Sequence, residues 1–229
     1  IGIIQGYSCM IDYKKLGHKS YKLFLKLRPN FDRKNELRNY LRKEKHVFAV
    51  FESLGNWNLA IAIFANSDKI FNTLENNLME KFGDLILSKV FIVMIDAELL
   101  HTPVLKDSQE IREKDLFWAE EGQEKLDAID KKLVTLLHEN ARTSLVDLSK
   151  ELPISIDSIR KRMKKLNSKK ILNYYHTVID YSVLGFDHYK LFIFPKKYSQ
   201  LAEEKIMNFL RETEGCINIV RTIGAWKIE

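Results

Sequence analysis

The sequence predicts an α+β protein in which a helix-turn-helix unit lies between two copies of a smaller strand and helix pattern. Two observations predict this arrangement: an internal repeat, and a concentration of positive charge between its copies. The 229 residues are 45% hydrophobic, which suffices to bury a core in each of two domains. The longest apolar runs, residues 59–65 and 90–95, are far below the roughly 18 residues that indicate a membrane span. We therefore expect no membrane partner.

The repeat joins the beginning of the chain to its last third. A shift of 168 positions aligns residues 3–24 with residues 171–192, and both contain the runs IDY, LG and YKLF. One supersecondary unit is thus used twice. A shift of 169 matches further residues of the two copies: Asn39, Leu41, Arg42, Gly55 and Trp57 with Asn208, Leu210, Arg211, Gly224 and Trp226.

Periodicity in the first copy, residues 1–102, predicts the order βαββαβ. This is the order of a ferredoxin-like fold, an antiparallel sheet backed by two helices. Gly55-Asn56 suits a tight hairpin, Ser67 is placed to cap the second helix, and Gly83 is placed to end it. The predicted elements are a strand over 20–27, a helix over 32–43, strands over 47–54 and 57–65, a helix over 67–83 and a strand over 85–95.

The second copy, residues 181–229, is predicted to be incomplete. It contains a first strand over 188–194, a first helix over 201–212 and a second strand, and it ends beyond the hairpin. Such a partial sheet leaves an apolar face and an edge that need a partner, a longer chain or disorder. Residues 103–122 are predicted to be a linker with a short helix around 111–119, whose Leu116, Phe117 and Trp118 dock on a domain.

Residues 123–180 carry the pattern of a winged helix-turn-helix. A helix is predicted over 126–138, Ser144 caps a second helix that Pro153 ends, and Ser155 caps a third helix over 156–167. Ile156, Ile159, Met163 and Leu166 fall on one arc of the third helix. A turn then leads into a strand over 171–179, which forms the wing.

The third helix also carries the positive charge. Residues 156–170 contain seven Lys or Arg residues against one acid, an excess equal to the +6 of the whole chain. At about 100° per residue, Asp157, Lys161, Lys164 and Lys165 lie opposite the apolar arc. A polar start and a cationic body indicate a recognition helix for the major groove of double-stranded DNA. The alternative interpretation is a solvated charged face.

Roles follow from position along this helix. Residues near its start reach base edges, so Asp157, Ser158 and Lys161 are predicted base contacts, with Asp157 accepting from cytosine and Lys161 donating to guanine. Ser155 completes the predicted interface as the cap. The DNA backbone is assigned to the cations Arg160, Arg162, Lys164, Lys165 and Lys169.

The run LDAIDKKLVTLLHENARTSLVDLSKELPISIDSIRKRMKKL, followed by the wing, resembles the DNA-binding domain of the Lrp/AsnC, or feast/famine, transcription regulators of prokaryotes. The repeated unit is similar to that family's RAM domain. The resemblance implies dimers or larger homo-oligomers through the sheets, and an amino-acid-like effector near the hairpin. Residue 1 aligns with the wing of another helix-turn-helix. The resemblance therefore implies a tandem form whose first helix-turn-helix and last RAM segment lie outside this sequence.

The effector site implied by the resemblance comprises Gly55, Trp57 and Asn58. The family commonly has an acid after the hairpin aromatic, whereas Trp57 is followed by Asn58 and Trp226 by Lys227. This departure argues against binding of a free amino group, and a turn glycine beside a packed aromatic is the simpler interpretation.

Other function classes stay open at this point. Phosphate-loop, dinucleotide-binding, nucleophile-elbow and HExxH motifs do not occur in the sequence, so we expect no enzyme and no cofactor. Sirohaem decarboxylases resemble the same family, and a Soret band would favour that alternative. An interaction module without DNA contacts is a third. Cys9 and Cys216 form no CxxC pair, which favours the reducing cytoplasm.

Overall fold

The computed structural model describes residues 2–100, 115–118, 120–196 and 199–229. Within this part of the chain, no helix is long and apolar enough to cross a membrane. The elements follow in the order β1 (Ile4–Ile11), β2 (Lys19–Leu27), α1 (Phe31–Lys43), β3 (Val47–Glu52), β4 (Leu59–Ala65), α2 (Asp68–Phe82), β5 (Ile86–Leu99), β6 (Asp115–Phe117), α3 (Ala128–Glu139), α4 (Leu145–Glu151), α5 (Ile156–Ser168), β7 (Leu172–Ile179), a 3-10 turn (Ser182–Leu184), α6 (Gln200–Glu212) and β8 (Asn218–Gly224).

The chain forms two compact units, and each is built from two separate stretches of sequence. The helical unit comprises Ile1–Gly17 and Glu120–Lys190, and the sheet unit comprises His18–Ala119 and Leu191–Glu229. This division differs from the consecutive domains predicted above. The reason is that β1 pairs with β7, which places the start of the first copy beside the wing.

The sheet unit contains the predicted ferredoxin-like core. Its strands lie in the order β3-β4-β2-β5, all antiparallel, so β2 is central. Alternate residues of β2 point to one face because successive side chains in a strand alternate, and α1 and α2 cover that face. The buried core includes Leu23, Leu25, Leu37, Leu41, Ile61, Leu78 and Phe82.

The second copy adds to this sheet. β8 pairs along β5 from Ile92 to Leu99, and α6 packs Met207 against Ile219 and Ile228. The predicted first strand over 188–194 was wrong as a strand, since only Ile193 forms a bridge there, to Ile228. A strand needs neighbours along its length for its backbone hydrogen bonds, and this segment has them at one position.

Two local predictions also need correction. The predicted helix over 111–119 falls partly outside the described residues, and its described part, β6, is a strand that pairs with β5. Trp118 is buried beside Phe64, with 5.6 Å between ring centroids, as expected for a docking residue. The hairpin between β3 and β4 spans residues 53–58 rather than two residues, because Ser53 Oγ donates to the Trp57 carbonyl.

The turn from α5 into β7 has an unusual backbone. Lys170 adopts φ +54°, a left-handed conformation that disfavours L side chains. Its N–H donates to the Asn167 carbonyl (2.9 Å), and the Ile171 N–H donates to the Leu166 carbonyl (3.0 Å). These two bonds are the Schellman pattern, in which glycine normally fills the left-handed position. The helix therefore ends with a lysine where glycine would fit better.

Lys170→Gly is expected to raise the free energy of unfolding of the helical unit by about 0.5–1 kcal/mol, because glycine removes the steric cost of the left-handed backbone. Urea unfolding followed by circular dichroism measures the change. Lys170→Ala is the control, since it removes the same charge but keeps the Cβ. Equal stabilities of the two variants would show that the backbone conformation has no such cost.

Candidate nucleic-acid interface

Three helices position the predicted interface in the helical unit. One hydrophobic core is shared by α3, α4, α5 and the two wing strands, β1 and β7. It buries Leu133 and Leu137 of α3, Leu148 of α4, and Ile159 and Leu166 of α5. Ile156 and Met163 are half-buried. The apolar arc of α5 therefore faces inward, as its sequence predicts, and the opposite side of the helix faces solvent.

Side-chain caps fix where these helices begin. Ser144 Oγ accepts from the Asp147 N–H (3.1 Å), and Ser155 Oγ accepts from the Ser158 N–H (3.3 Å). Such caps satisfy amide groups that the first turn of a helix leaves unbonded. Ser155 also donates to Ser158 Oγ (3.0 Å). The two serines thus order the start of α5, where the base contacts are predicted.

The outward side of α5 is cationic. Lys161, Lys164 and Lys165 are exposed, and the described residues offer none of them an ion-pair partner. Exposed lysines on one side of a helix that have no ion-pair partner among the described residues attract phosphates. The three side chains face outward as the helical pattern predicts, and their contacts with DNA stay predictions.

Asp157 and Arg160 are exposed but engaged with each other. Arg160 Nη1 lies 2.7 Å from Asp157 Oδ1, one turn apart on α5. Both side chains are largely in solvent, so the pair contributes little to stability and can exchange for contacts to DNA. Lys169 pairs with Glu124 at the far end of the helix.

Arg162 has a different environment from the other cations. Its Nη1 lies 2.7 Å from Asp127 Oδ2 and 2.6 Å from Asp130 Oδ1, and the Asp130 side chain is only 3% exposed. Hydrogen bonds to Asp130 and then to Asp127 raise the pKa of Arg162. The Asp130 N–H, followed by Arg162, lowers the pKa of Asp127. Arg162 therefore ties α5 to the start of α3, and its predicted contact with DNA stays a prediction.

The ion pairs of Arg162 with Asp127 and Asp130 were not predicted from the sequence. Asp127 also caps α3 by accepting from the Asp130 N–H at 2.7 Å, so the LDxxD pattern serves both the cap and the ion pair. That pattern indicated the start of a helix, but it carried no signal of the cation that pairs with both acids. A second missed contact places Arg142 over the ring of Tyr7, 3.6 Å from its centroid.

The predicted effector residues lie in the sheet unit. Gly55 has φ +122° and its carbonyl accepts from Lys26 Nζ at 2.7 Å. Asn58 Oδ1 accepts from the Leu27 N–H at 2.9 Å, so this carboxamide closes the end of β2. Trp57 is half-buried. These contacts are structural, and binding of an effector there stays a prediction.

The histidines that the structure describes do not form a cluster with other metal ligands. Among the described residues, no group of three or more His, Cys, Asp or Glu side chains could hold a metal ion. His176 is half-buried on β7, and burial, followed by the nearby His138, lowers its pKa. His188 is exposed and lies outside the strands.

Comparison with known proteins agrees with this geometry. A family model of the AsnC-type helix-turn-helix domain matches residues 126–167. The HTH-type transcriptional regulator Ptr1 of Methanocaldococcus jannaschii is 34% identical over 104 residues, which cover 44% of this chain and 67% of Ptr1. An uncharacterized HTH-type transcriptional regulator of Pyrococcus horikoshii, PH1692, is 31% identical over 62 residues, or 27% of this chain and 42% of that protein.

Among solved structures, the siroheme decarboxylase NirDL has a similar fold. In co-complex with an iron-uroporphyrin III analogue, it matches 99% of this chain with a TM-score of 0.61 and 12% sequence identity. The match covers 65% of the NirDL chain, so this chain spans less than two thirds of it. Identity at this level shows a shared fold and no more. The helix-turn-helix match and the similarity to Ptr1 extend to the sequence itself, and the chain belongs to the Lrp/AsnC family of DNA-binding transcription regulators.

Proposed function

We propose that the chain binds double-stranded DNA sequence-specifically, with α5 in the major groove. The observation that carries this proposal is the outward face of α5, where Lys161, Lys164 and Lys165 are exposed and unpaired within the described part of the chain. A helix with an apolar inner face and a cationic outer face, held by two companion helices, has the geometry of a recognition helix.

Contacts divide along the helix. Asp157, Ser158 and Lys161 lie in its first turns and are the proposed base contacts, and Ser155 holds that end in place. Lys164 and Lys165 are the proposed phosphate contacts. Arg160 can bind phosphate once it leaves Asp157, and Lys169 once it leaves Glu124, since both pairs are at least partly exposed and weak in water.

Selection of bound fragments from random duplexes, at a stated salt concentration, tests this proposal. We expect a defined sequence motif for the full chain. Lys161→Ala is expected to relax the preference at one base position, a loss of roughly 1–3 kcal/mol of discrimination.

Lys131→Ala is the matched control for this selection, because Lys131 is an exposed lysine on α3 of the same unit. It removes one positive charge without touching α5, so the motif should be unchanged. An unaltered motif with Lys161→Ala would contradict its role as a base contact, and the absence of any enriched motif would contradict sequence-specific binding.

Two further proposals, on oligomerisation and on effector binding, rest on membership of the family. We propose dimers or larger assemblies through the RAM-type sheets, and an amino-acid-like effector near the hairpin at Gly55, Trp57 and Asn58. Gly55 is exposed in that hairpin and Trp57 is only half-buried, which supports the second proposal. Analytical ultracentrifugation with and without amino acids tests both, since an effector at such a contact should shift the association equilibrium.

A second candidate function is tetrapyrrole chemistry, which rests only on the fold shared with NirDL and is not favoured over DNA binding. The half-buried His176 would be its first candidate ligand. Titration of the purified chain with an iron porphyrin tests this candidate. A Soret shift that His176→Ala abolishes would support it, whereas a spectrum equal to the free porphyrin would remove it.

A further inference from the structure

An acidic segment, residues 120–124, lies against lysines at the end of α5 and in the turn after β1. Glu120 forms an ion pair with Lys15, and Glu124 Oε2 lies 2.5 Å from Lys169 Nζ. Lys15 belongs to the turn after β1, and Lys169 is the residue that follows α5. Two carboxylates of one short segment therefore lie on two lysines that come from distant parts of the sequence but from the same helical unit.

Backbone contacts hold the acidic segment in this position. The Gly122 N–H donates to the Lys14 carbonyl (3.0 Å), and the Glu124 N–H donates to the Lys15 carbonyl (2.9 Å). A Cβ on Gly122 would lie only 2.6 Å from the Lys15 carbonyl oxygen, a distance at which one of the two groups has to move. Glycine is therefore required for the segment to lie this close to the turn after β1.

The lysines beneath the segment belong to a basic group that we call the lysine patch, formed by Lys15, Lys169 and Lys170. Lys170 is exposed. The hydrogen bond from Lys15 is the main cause that lowers the pKa of Glu120, and the charge of Lys170 lowers it further. An open cleft of about 450 Å³ is lined by Lys15, Lys169 and residues 121–124. The patch therefore attracts anions, and the carboxylates of Glu120 and Glu124 occupy it in this structure.

The ion pairs that cover the lysine patch are weak enough to exchange. The Glu120 side chain is 73% exposed and that of Glu124 is 38% exposed, and ion pairs in contact with water contribute little to stability. A DNA strand presents a continuous row of phosphates and releases counterions when lysines bind it. DNA is therefore able to compete with the two carboxylates for these lysines.

We propose that the lysine patch binds a stretch of DNA backbone beside the groove that α5 reads, and that residues 120–124 cover the patch when no DNA is bound. This inference rests on the function proposed above, and it adds Lys15 and Lys170 to the phosphate contacts. DNA has to displace Glu120 and Glu124 to reach the patch. The acidic segment thus lowers the affinity for every DNA sequence to a similar degree, because phosphate contacts carry no base information.

Removing the two carboxylates tests this competition. Glu120→Gln combined with Glu124→Gln keeps the size of both side chains and removes both ion pairs. We expect roughly tenfold tighter binding to every duplex, since two weak pairs no longer have to be broken. Adding Lys15→Ala and Lys169→Ala should abolish the gain and make the slope of log K against log salt about 2 units shallower. A gain that survives loss of both lysines would contradict the proposal.

Glu121→Gln combined with Glu139→Gln is the matched control. Both glutamates are exposed in the helical unit, and the described residues offer neither of them an ion-pair partner. The net charge changes by the same amount, so the affinity should rise by no more than about twofold, as for screened surface charges. An equal rise in affinity in the two double variants would overturn the proposal.

Gly122→Ala tests the same competition without changing any charge. The added methyl group should push the segment away from the Lys15 carbonyl and raise the affinity for DNA severalfold. Gln123→Ala is its control, because Gln123 is exposed and its replacement should leave the affinity unchanged. Circular dichroism checks that both variants are folded. Equal affinities of the two folded variants would show that the segment does not compete with DNA.

Retention on heparin, a sulfated polyanion, separates this proposal from the function of α5. The two double glutamine variants have the same net charge, so elution of the Glu120→Gln, Glu124→Gln variant at higher salt than the control would indicate an uncovered patch. That result would support the patch even if selection from random duplexes yielded no motif. An enriched motif with equal elution and equal affinity of the two variants would keep α5 as the recognition helix and overturn the patch.

Discussion

Replacing Lys164 and Lys165 together with alanine is expected to weaken binding to every DNA sequence by a similar factor. Both ammonium groups are exposed on α5, and each is expected to bind one phosphate. A hydrogen bond to a charged group contributes about 1.5 kcal/mol or more, so the double variant should lose roughly a hundredfold in affinity. The sequence motif should not change, because phosphate contacts carry no base information.

The salt dependence distinguishes phosphate contacts from a general loss of charge. Each released counterion contributes about 0.9 to the slope of log K against log salt, so the double variant should have a slope about 2 units shallower. Lys43→Ala with Lys45→Ala is the control, since both are exposed lysines of the sheet unit and the net charge changes equally. A slope that falls equally in both double variants would refute the assignment of Lys164 and Lys165.

The organisation of α5 could be predicted from sequence because its causes are local. Ser155 caps the helix, Ile159 and Leu166 turn inward, and Lys161 turns outward. Each of these features depends on residues within two turns of one another. The helical period of 3.6 residues therefore suffices to predict which side chains of α5 face inward and which face outward, and the tertiary contacts agree with that prediction.

Features that depend on distant parts of the chain were not predicted. β6 forms because the edge of β5 is available to it, and no local pattern in residues 115–117 indicates that edge. The pairing of β1 with β7 joins residues more than 160 positions apart. The internal repeat aligns β1 with β7, but two strands that align in sequence need not pair with each other in the structure.

The ion pairs of Arg162 with Asp127 and Asp130 were not predicted, for the same reason. From the sequence, it is one of several cations on a basic helix, and its position on the flank of the apolar arc permits either an outward or an inward direction. The direction is decided by Asp130, which lies 32 positions earlier and is almost fully buried. A buried carboxylate requires a cation or several hydrogen-bond donors, and Arg162 is the cation that reaches it.

Arg162→Met is therefore expected to lower the free energy of unfolding of the helical unit by about 2–3 kcal/mol, since breaking a buried pair leaves its partner charge uncompensated. Methionine keeps most of the apolar stem, so the loss reports the ion pair. Urea unfolding measures it. Asp130→Asn combined with Arg162→Met should cost less than the sum of the two single changes, because neither partner is then left charged and alone.

The same variant separates a structural role from a DNA contact. At a temperature where Arg162→Met is fully folded, its DNA binding should keep the salt slope of the unchanged protein, because Asp127 and Asp130 already occupy the guanidinium. If Arg162 binds a phosphate instead, the slope should fall by about 1 unit while the stability changes little. A structural role thus lowers the stability and leaves the salt slope unchanged, whereas a phosphate contact lowers the salt slope and leaves the stability nearly unchanged. A single variant therefore decides between an arginine that stabilises the recognition unit and one that contacts DNA.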